Sequence, residues 1–410
     1  MKTQTNQTNL KMLKLTILVI AMFQMPSLAI SPAISKIMSQ FGRELATVQT
    51  ALQIPNLVSP FAAILASIIV AKAKGKLPKK YVIIFGLGCI VVAATGIVLF
   101  SNQFWTLYLW GAFIGIAIGL FIPTTASLMM DSFDEDAVRV ISGQQTSFIN
   151  IGGIIMSILG GLLADVIWFG GYLTFYFGVP IIVLCVLYLP VKARIEEAAA
   201  EQTSTDAATE DKSKFNWNVA FYGFCIFFFM MCSNVSGPNL SVYVIDQLKI
   251  GTAGTTGYIS AVQMLGGACS GMVFSKLSAK LRDYMVPLAF LTLCIGFTVL
   301  GTANSLVMIF IGAFLTGSAM SMCMPQCMFS ISLYVNENSS TFANAISSSI
   351  APSLGGFLSP VIFTPLTTAL FGEAVSSRYL FLSGVTLVLC ILLVVIMTAR
   401  KKGGKAKGWG

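Results

Sequence analysis

Ser31-Pro32-Ala33-Ile34-Ser35 stands inside the first long apolar segment of this chain, and Gly237-Pro238-Asn239-Leu240-Ser241 stands inside the seventh. Further along, Thr50-Ala51-Leu52-Gln53-Ile54 is echoed by Ser260-Ala261-Val262-Gln263-Met264, and Gly119-Leu120-Phe121-Ile122-Pro123 by Ser321-Met322-Cys323-Met324-Pro325. The offsets of the matched Pro32/Pro238, Gln53/Gln263 and Pro123/Pro325 are 206, 210 and 202. A nearly constant shift over three landmarks reads as duplication of a whole unit.

The unit is built for lipid. The chain of 410 residues is 56% hydrophobic and only 10% charged, against about 25% charged in a soluble domain. A span needs about 20 apolar residues to cross the hydrocarbon core. Such stretches fall at 14–38, 48–71, 81–100, 105–129, 142–164 and 169–190, then at 217–245, 253–276, 284–303, 305–333, 341–366 and 377–399. The expected fold is therefore an all-α membrane protein of 12 transmembrane helices in two pseudo-symmetric six-helix halves. The first stretch is too long for the apolar core of a cleaved signal and reads as a permanent span.

The cations orient the spans. Loops on the side of the termini hold 21 of the 25 Lys and Arg residues, from Lys2 to Lys407, while the other side holds only Lys36, Arg43, Lys249 and Arg378. The positive-inside rule puts both termini in the cytoplasm of a multi-pass protein of the cytoplasmic (inner) membrane. The net charge of +9 is thus a topology signal; with no basic, aromatic-interleaved soluble segment, no nucleic acid is expected as a partner. The domain reading is residues 1–190 as the N-terminal half, 191–215 as a cytoplasmic linker, 216–400 as the C-terminal half and 401–410 as a basic tail.

Candidate functional residues are polar groups that lipid would not tolerate unpartnered. An amide costs roughly 4–8 kcal/mol on transfer to an alkane. Gln24, Gln53, Asn56, Gln145, Asn150, Asn234, Asn239, Gln263, Gln326 and Asn344 lie within spans and are substrate-pathway candidates, as is Lys36, the one cation inside a span-like stretch. Facing a pore, Lys36 would favour an anion; snorkelling to the interface is the alternative. Pro32, Pro123, Pro238 and Pro325 each remove an internal helical hydrogen bond and are candidate conformational positions. The chain has no histidine, and its acidic residues sit at helix ends or in loops, with Asp131, Asp165, Asp246 and Glu373 nearest the spans. No phosphate-binding loop of the G-x-x-x-x-G-K-[ST] type occurs. The nine cysteines lie mostly in apolar stretches and read as packing. One stretch, Met320-Ser321-Met322-Cys323-Met324-Pro325-Gln326-Cys327-Met328, places soft sulfur donors four apart and raises Cu(I) as a remote alternative. No resident cofactor or metal is expected.

Twelve spans in a 6+6 repeat, a long central loop and the Ser-Pro/Gly-Pro element of spans one and seven resemble the major facilitator superfamily. The family's loop after span two is similar to Ser67-Ile68-Ile69-Val70-Ala71-Lys72-Ala73-Lys74-Gly75-Lys76, with Lys72 at a motif Arg and Ala71 at the motif Asp. The equivalent after span eight is Gly271-Met272-Val273-Phe274-Ser275-Lys276. Asp131 is a substitute partner for the Lys72–Lys80 cluster. Gly111 replaces the Arg common in span four, leaving a Gly111/Gly115/Gly119 packing stripe. Span five keeps only the closing Gly160-Gly161 of the antiporter motif. The resemblance implies that spans 1, 2, 4, 5, 7, 8, 10 and 11 line a pathway, and every candidate amide falls in one of them. It also implies a monomeric secondary transporter or facilitator that moves a small organic solute by alternating access. Coupling to H+ or another ion is possible on that reading, and uptake of a metabolite or organic anion is favoured over efflux of drug-like compounds by proton antiport. A membrane enzyme or receptor is the remote alternative, lacking clustered catalytic groups or a soluble signalling domain.

Overall fold

The computed structural model describes residues 2–72, 78–190, 217–334 and 350–402. The linker 191–215, Asn344 and residues 403–410 fall outside them, as does the side chain of Lys72. The described residues are helical, with turns between. By length and apolarity, ten segments qualify as membrane spans, and one of these, Ala253–Gly301, turns at Arg282–Tyr284 and counts as two. The remaining span, the first, is cut into pieces. The total among the described residues is twelve.

Span one is interrupted because its backbone cannot continue. The helix Lys2–Ala21 closes with the tight turns Met22 N→Val19 O at 3.2 Å, Phe23 N→Ile20 O at 3.0 Å and Gln24 N→Ala21 O at 3.2 Å. Pro26 then lacks an N–H to donate. Helix resumes as Ser27–Ile30, passes through a 3-10 turn at Ser31–Ala33 and ends as Ile34–Phe41. Span two divides at Gln53 into Leu45–Leu52 and Ile54–Lys72, with Pro55 in the second segment's first turn. Span seven divides at Asn234–Val235 into Trp217–Ser233 and Ser236–Val242, followed by a widened π turn, Tyr243–Gln247. Spans three to six are Lys79–Leu99, Thr106–Ser132, Glu135–Val166 and Gly170–Tyr188. Span eight is Ala253–Leu281, nine Met285–Gly301, ten Leu306–Tyr334, eleven Ala351–Phe371 and twelve Val375–Lys402.

Span eight departs from the sequence expectation. The stretch Gly271 to Lys276 is not a loop: the helix runs on to Leu281 and turns at Arg282, whose φ is 51°. Nothing between Gly271 and Leu281 breaks a helix, and the apolar run ends before the helix does. The carboxylate at that turn is Asp283, which accepts from Ser330 Oγ of span ten at 3.3 Å. The matching place in the first repeat holds an ion pair between Lys79 and Asp131, with Lys79 also donating to Ser127 at 2.9 Å. Both repeats therefore tie the start of their third helix to the end of their fourth, using different chemistry.

Close packing within the repeats uses glycine. A Cβ on Gly115 would meet Pro55 O and Val58 of span two at 2.8 Å. In the second repeat, a Cβ on Gly317 of span ten would collide with the carbonyl of Gln263 on span eight. Backbone contact of this kind is how helices associate when lipid competes equally for apolar side chains.

Contacts divide the chain into two compact units. One comprises Met1–Ser27, Ile54–Gly153 and Tyr172–Ser213; the other comprises Leu28–Gln53, Ile154–Gly171 and Lys214–Gly410. The boundaries in spans one and two coincide with their helix breaks. The second unit thus contains the ends of spans one, two and five that point away from the termini, together with the second repeat.

Candidate functional site

The second unit is where the two repeats meet, and they meet through polar groups. Ser35 and Ser241 close the two copies of the Ser-Pro/Gly-Pro element, and they touch. Ser241 Oγ donates to Pro32 O at 2.8 Å and accepts from Ser35 N at 3.3 Å. The hydroxyl of one repeat is thereby inserted into the backbone of the other. Both serines are buried. Ser35 Oγ in turn donates to Asp246 Oδ1 at 2.8 Å.

Span five joins span eight along one stripe. Ser157, Gly161 and Asp165 recur every four residues, so they share a helix face. Ser157 Oγ donates to Gly257 O at 2.7 Å. A Cβ on Gly161 would lie 2.6 Å from Ala253 O and 3.2 Å from Gly254 Cα, so only glycine permits this approach. Asp165 Oδ2 accepts from Thr252 Oγ1 at 2.9 Å and from Gly254 N at 3.0 Å. That places a carboxylate on the N-terminus of span eight, where unpaired N–H groups and the helix dipole favour negative charge. Gly160, its neighbour, faces the backbone of Ala29 in span one. The Gly-Gly pair therefore lets span five press on one helix of each repeat. Spans two and eleven add Thr364 Oγ1→Gln49 Oε1 at 2.7 Å, and the other amide atom of Gln49, Nε2, is buried without a hydrogen-bond partner.

Lys36 is held at this end of the molecule by the end of span five. Its ammonium donates to the backbone carbonyl of Asp165 at 3.0 Å, in the last turn of span five, where a cation complements the dipole. It lines a groove of about 370 Å³ with Ser39, Gln40, Val166, Ile167 and Trp168.

The amide candidates divide into those at helix breaks and those in networks. Gln24, Gln53 and Asn234 sit at the breaks of spans one, two and seven. Gln24 is half-buried, with Nε2 lacking a hydrogen-bond partner. Asn234 Nδ2 donates back to Met230 O at 3.0 Å. Asn56 follows the break in span two, and Gln145 and Asn150 are half-buried on span five. Gln263 bridges three helices of the second repeat, donating to Ser236 Oγ at 3.2 Å and Thr316 Oγ1 at 3.3 Å. Gln326 accepts from Ser278 at 2.5 Å and donates to Ser330 at 3.3 Å, continuing to Asp283. Of the prolines, Pro32 lends its carbonyl to Ser241, Pro238 lies in the short segment after the break in span seven, and Pro123 and Pro325 lie within long helices.

The sequence places Arg378 among the loop cations opposite the termini; the structure corrects this. Arg378 lies in the first turn of span twelve with 3% of its surface exposed. Its guanidinium donates to Asn239 Oδ1 at 2.9 Å and Thr368 Oγ1 at 2.8 Å, and its Nε has no partner. Asn239, 1% exposed, is therefore a ligand of Arg378. A charge within one turn of a helix end looks like a loop charge in sequence; only packing shows which way the side chain turns.

Cys323 and Cys327 are buried with their sulfurs 4.0 Å apart. Among the described residues no group of three or more His, Cys, Asp or Glu side chains could hold a metal ion.

The sequence pattern of the Major Facilitator Superfamily matches residues 16–229 and again 222–409. The chain belongs to the Major Facilitator Superfamily. No curated protein matches the sequence of this facilitator. Its fold is similar to the solved nucleoside transporter NupG, with a TM-score of 0.70, 11% identity, and coverage of 94% of this chain and 99% of the other. It is similar to a POT family transporter in complex with a thioalcohol conjugated peptide, with a TM-score of 0.75, 12% identity, and coverage of 95% and 96%. A bacterial homolog of the human lysosomal transporter Spinster, inward-facing and occupied, gives a TM-score of 0.68, 14% identity, and coverage of 96% and 95%. This facilitator is a multi-pass integral membrane transporter and not an enzyme.

Proposed function

We propose that this facilitator takes up a small polar metabolite across the cytoplasmic membrane by alternating access, with both termini inside. The observation that carries this reading is the junction of the two repeats. It consists of hydroxyls, carboxylates and glycine-mediated contacts, which can part and re-form without exposing a large apolar surface. Breaks in spans one, two and seven beside Gln24, Gln53 and Asn234 support it, since interrupted helices place backbone polar groups near a solute at mid-membrane depth. The charge bias of the loops supports an outward orientation for the junction.

Lys36 lends no support to an organic anion, because its ammonium is committed to the end of span five. Nor is Cu(I) favoured: among the described residues no group of three or more His, Cys, Asp or Glu side chains that could hold a metal ion is found at the Cys323/Cys327 pair. The similar structures include a protein named for nucleosides and one bound to a conjugated peptide. Nucleosides and dipeptides are therefore the first solutes to test, with monocarboxylates as the anionic comparison.

The test is accumulation of labelled uridine, alanyl-alanine and lactate in proteoliposomes, with and without an imposed proton gradient. Saturable accumulation of a neutral solute, abolished by Asn234→Leu, is the expected result. Failure of all three to accumulate, or active expulsion of a lipophilic cation instead, overturns the uptake reading in favour of efflux.

A further inference from the structure

Span one ends in the helix Ile34–Phe41, which stops because Gly42 takes the left-handed conformation, with a φ of 58°. Three of its side chains, Lys36, Ser39 and Gln40, stand three and four residues apart and so share one face. Span five ends at Val166, and residues 167–169 turn into Gly170, whose N–H donates to Ile167 O at 2.8 Å. Two contacts pin these helix ends together. Phe41 meets the Trp168 ring edge-on at 5.0 Å, and Lys36 Nζ donates to Asp165 O at 3.0 Å. The groove of about 370 Å³ runs along this contact, and its two walls differ. Lys36, Ser39 and Gln40 make a polar wall, while Val166, Ile167 and Trp168 make an apolar one. Val166 leaves 85% of its surface uncovered, so the apolar wall is not closed by the protein.

The Lys36 ammonium is half-buried, and among the described residues it is ion-paired with no carboxylate. The nearest one in sequence across the contact, that of Asp165, is taken by Thr252 and Gly254. Beyond the helix end Arg43 and Glu44, both exposed, offset each other. The bond to Asp165 O fixes where the ammonium stands and uses one of its three donors. A half-buried cation is stabilised by an anion that brings acceptors to the remaining donors. An uncovered apolar wall is stabilised by hydrocarbon. A small inorganic anion would satisfy the first and leave the second wet. We propose that this groove binds an anionic phospholipid of the leaflet opposite the termini. Its phosphate diester accepts from Lys36, its headgroup lies along Ser39 and Gln40, and the start of an acyl chain covers Val166 and Ile167. Lysine and tryptophan are the side chains that suit this depth, where one end of a group is wet and the other is not. A lipid held there bridges the ends of spans one and five, and it stabilises their contact by mass action.

The test uses the full chain in detergent, with phosphatidylglycerol or phosphatidylcholine of the same acyl chains added. Native mass spectrometry counts the bound lipid, and the melting temperature reports its effect. The parent should retain one phosphatidylglycerol more tightly than phosphatidylcholine and melt at a higher temperature with it. Lys36→Met should weaken retention of phosphatidylglycerol about tenfold, the effect of losing one hydrogen bond to a charged group, while Lys36→Arg should preserve it. Val166→Glu leaves Lys36 in place and sets a negative charge on the exposed wall. It should weaken retention as much, and it decides the matter if Lys36→Met fails to fold. Glycerophosphoglycerol, the headgroup without its chains, should not compete at equal concentration. Equal retention of the two lipids by the parent overturns the proposal, as does a Lys36→Met protein that binds like the parent. Competition by glycerophosphoglycerol or by inorganic phosphate also overturns it, since the groove would then take small anions and not a lipid.

Discussion

Replacing Gly161 by alanine should open the junction without unfolding either repeat. The added Cβ would lie 2.6 Å from Ala253 O, 3.1 Å from Gly257 Cα and 3.2 Å from Gly254 Cα, all on span eight. A carbon needs about 3.3 Å from a carbonyl oxygen, so the two helices must part by about 0.7 Å. Neither side can yield by a rotamer change, because the obstacle is backbone. Overpacking of this kind costs about 1–3 kcal/mol, which shifts a two-state equilibrium by about 5- to 150-fold. The three atoms nearest the new methyl all belong to the other repeat, so the closed junction bears the cost. Gly317→Ala provides the contrast: its methyl strikes Gln263 within one repeat and should lower thermal stability in any state. The assay places cysteine at Ser157, which is fully buried in the junction, in a Cys269→Ser background. Labelling by a membrane-impermeant maleimide should quicken by about the same 5- to 150-fold factor in Gly161→Ala, with the melting temperature almost unchanged. Unchanged labelling, or a melting loss equal to that of Gly317→Ala, would refute the reasoning.

Asn239→Leu should lower stability by about 2–3 kcal/mol, because the Arg378 guanidinium loses a buried acceptor while its Nε already lacks one. Adding Arg378→Met should recover part of that loss in a double-mutant cycle of melting temperatures, and a neutral Asn239→Leu would contradict the geometry. Lys36→Met should cost only about 0.3–1 kcal/mol, the value of a cation at a helix C-terminus, and leave KM for the transported solute unchanged. A tenfold rise in KM would put Lys36 on the solute pathway after all.

Much of the fold was legible because lipid imposes a simple rule: every long segment must satisfy its own backbone, so apolar runs of sufficient length become helices. The repeat of Pro32 at Pro238 and the bias of Lys and Arg carried the 6+6 architecture. The breaks were half-visible: Pro26 and Pro55 mark two of them, but the interruption of span seven comes at Asn234–Val235, four residues before Pro238. The missed residues, Ser35, Ser241, Asp165 and Arg378, are short or terminal polar groups whose roles depend on partners about 10 to 200 residues away, from Thr368 beside Arg378 to Pro32 beside Ser241. The shared offset of 206 between Ser35 and Ser241 was available in the sequence, yet equivalence by duplication does not imply contact.

The sequence by itself determined that the chain lives in a membrane, that it has two related halves and which of its amides lipid would reject. Those are matters of local composition and period, which hydration and helix geometry decide segment by segment. The tertiary structure alone decided that the matched serines touch, that Lys36 ends one helix while Asp165 begins another, and that Arg378 turns inward to Asn239. Such choices depend on how closely two backbones approach, and glycines such as Gly161 permit that approach only when the facing helix is in place.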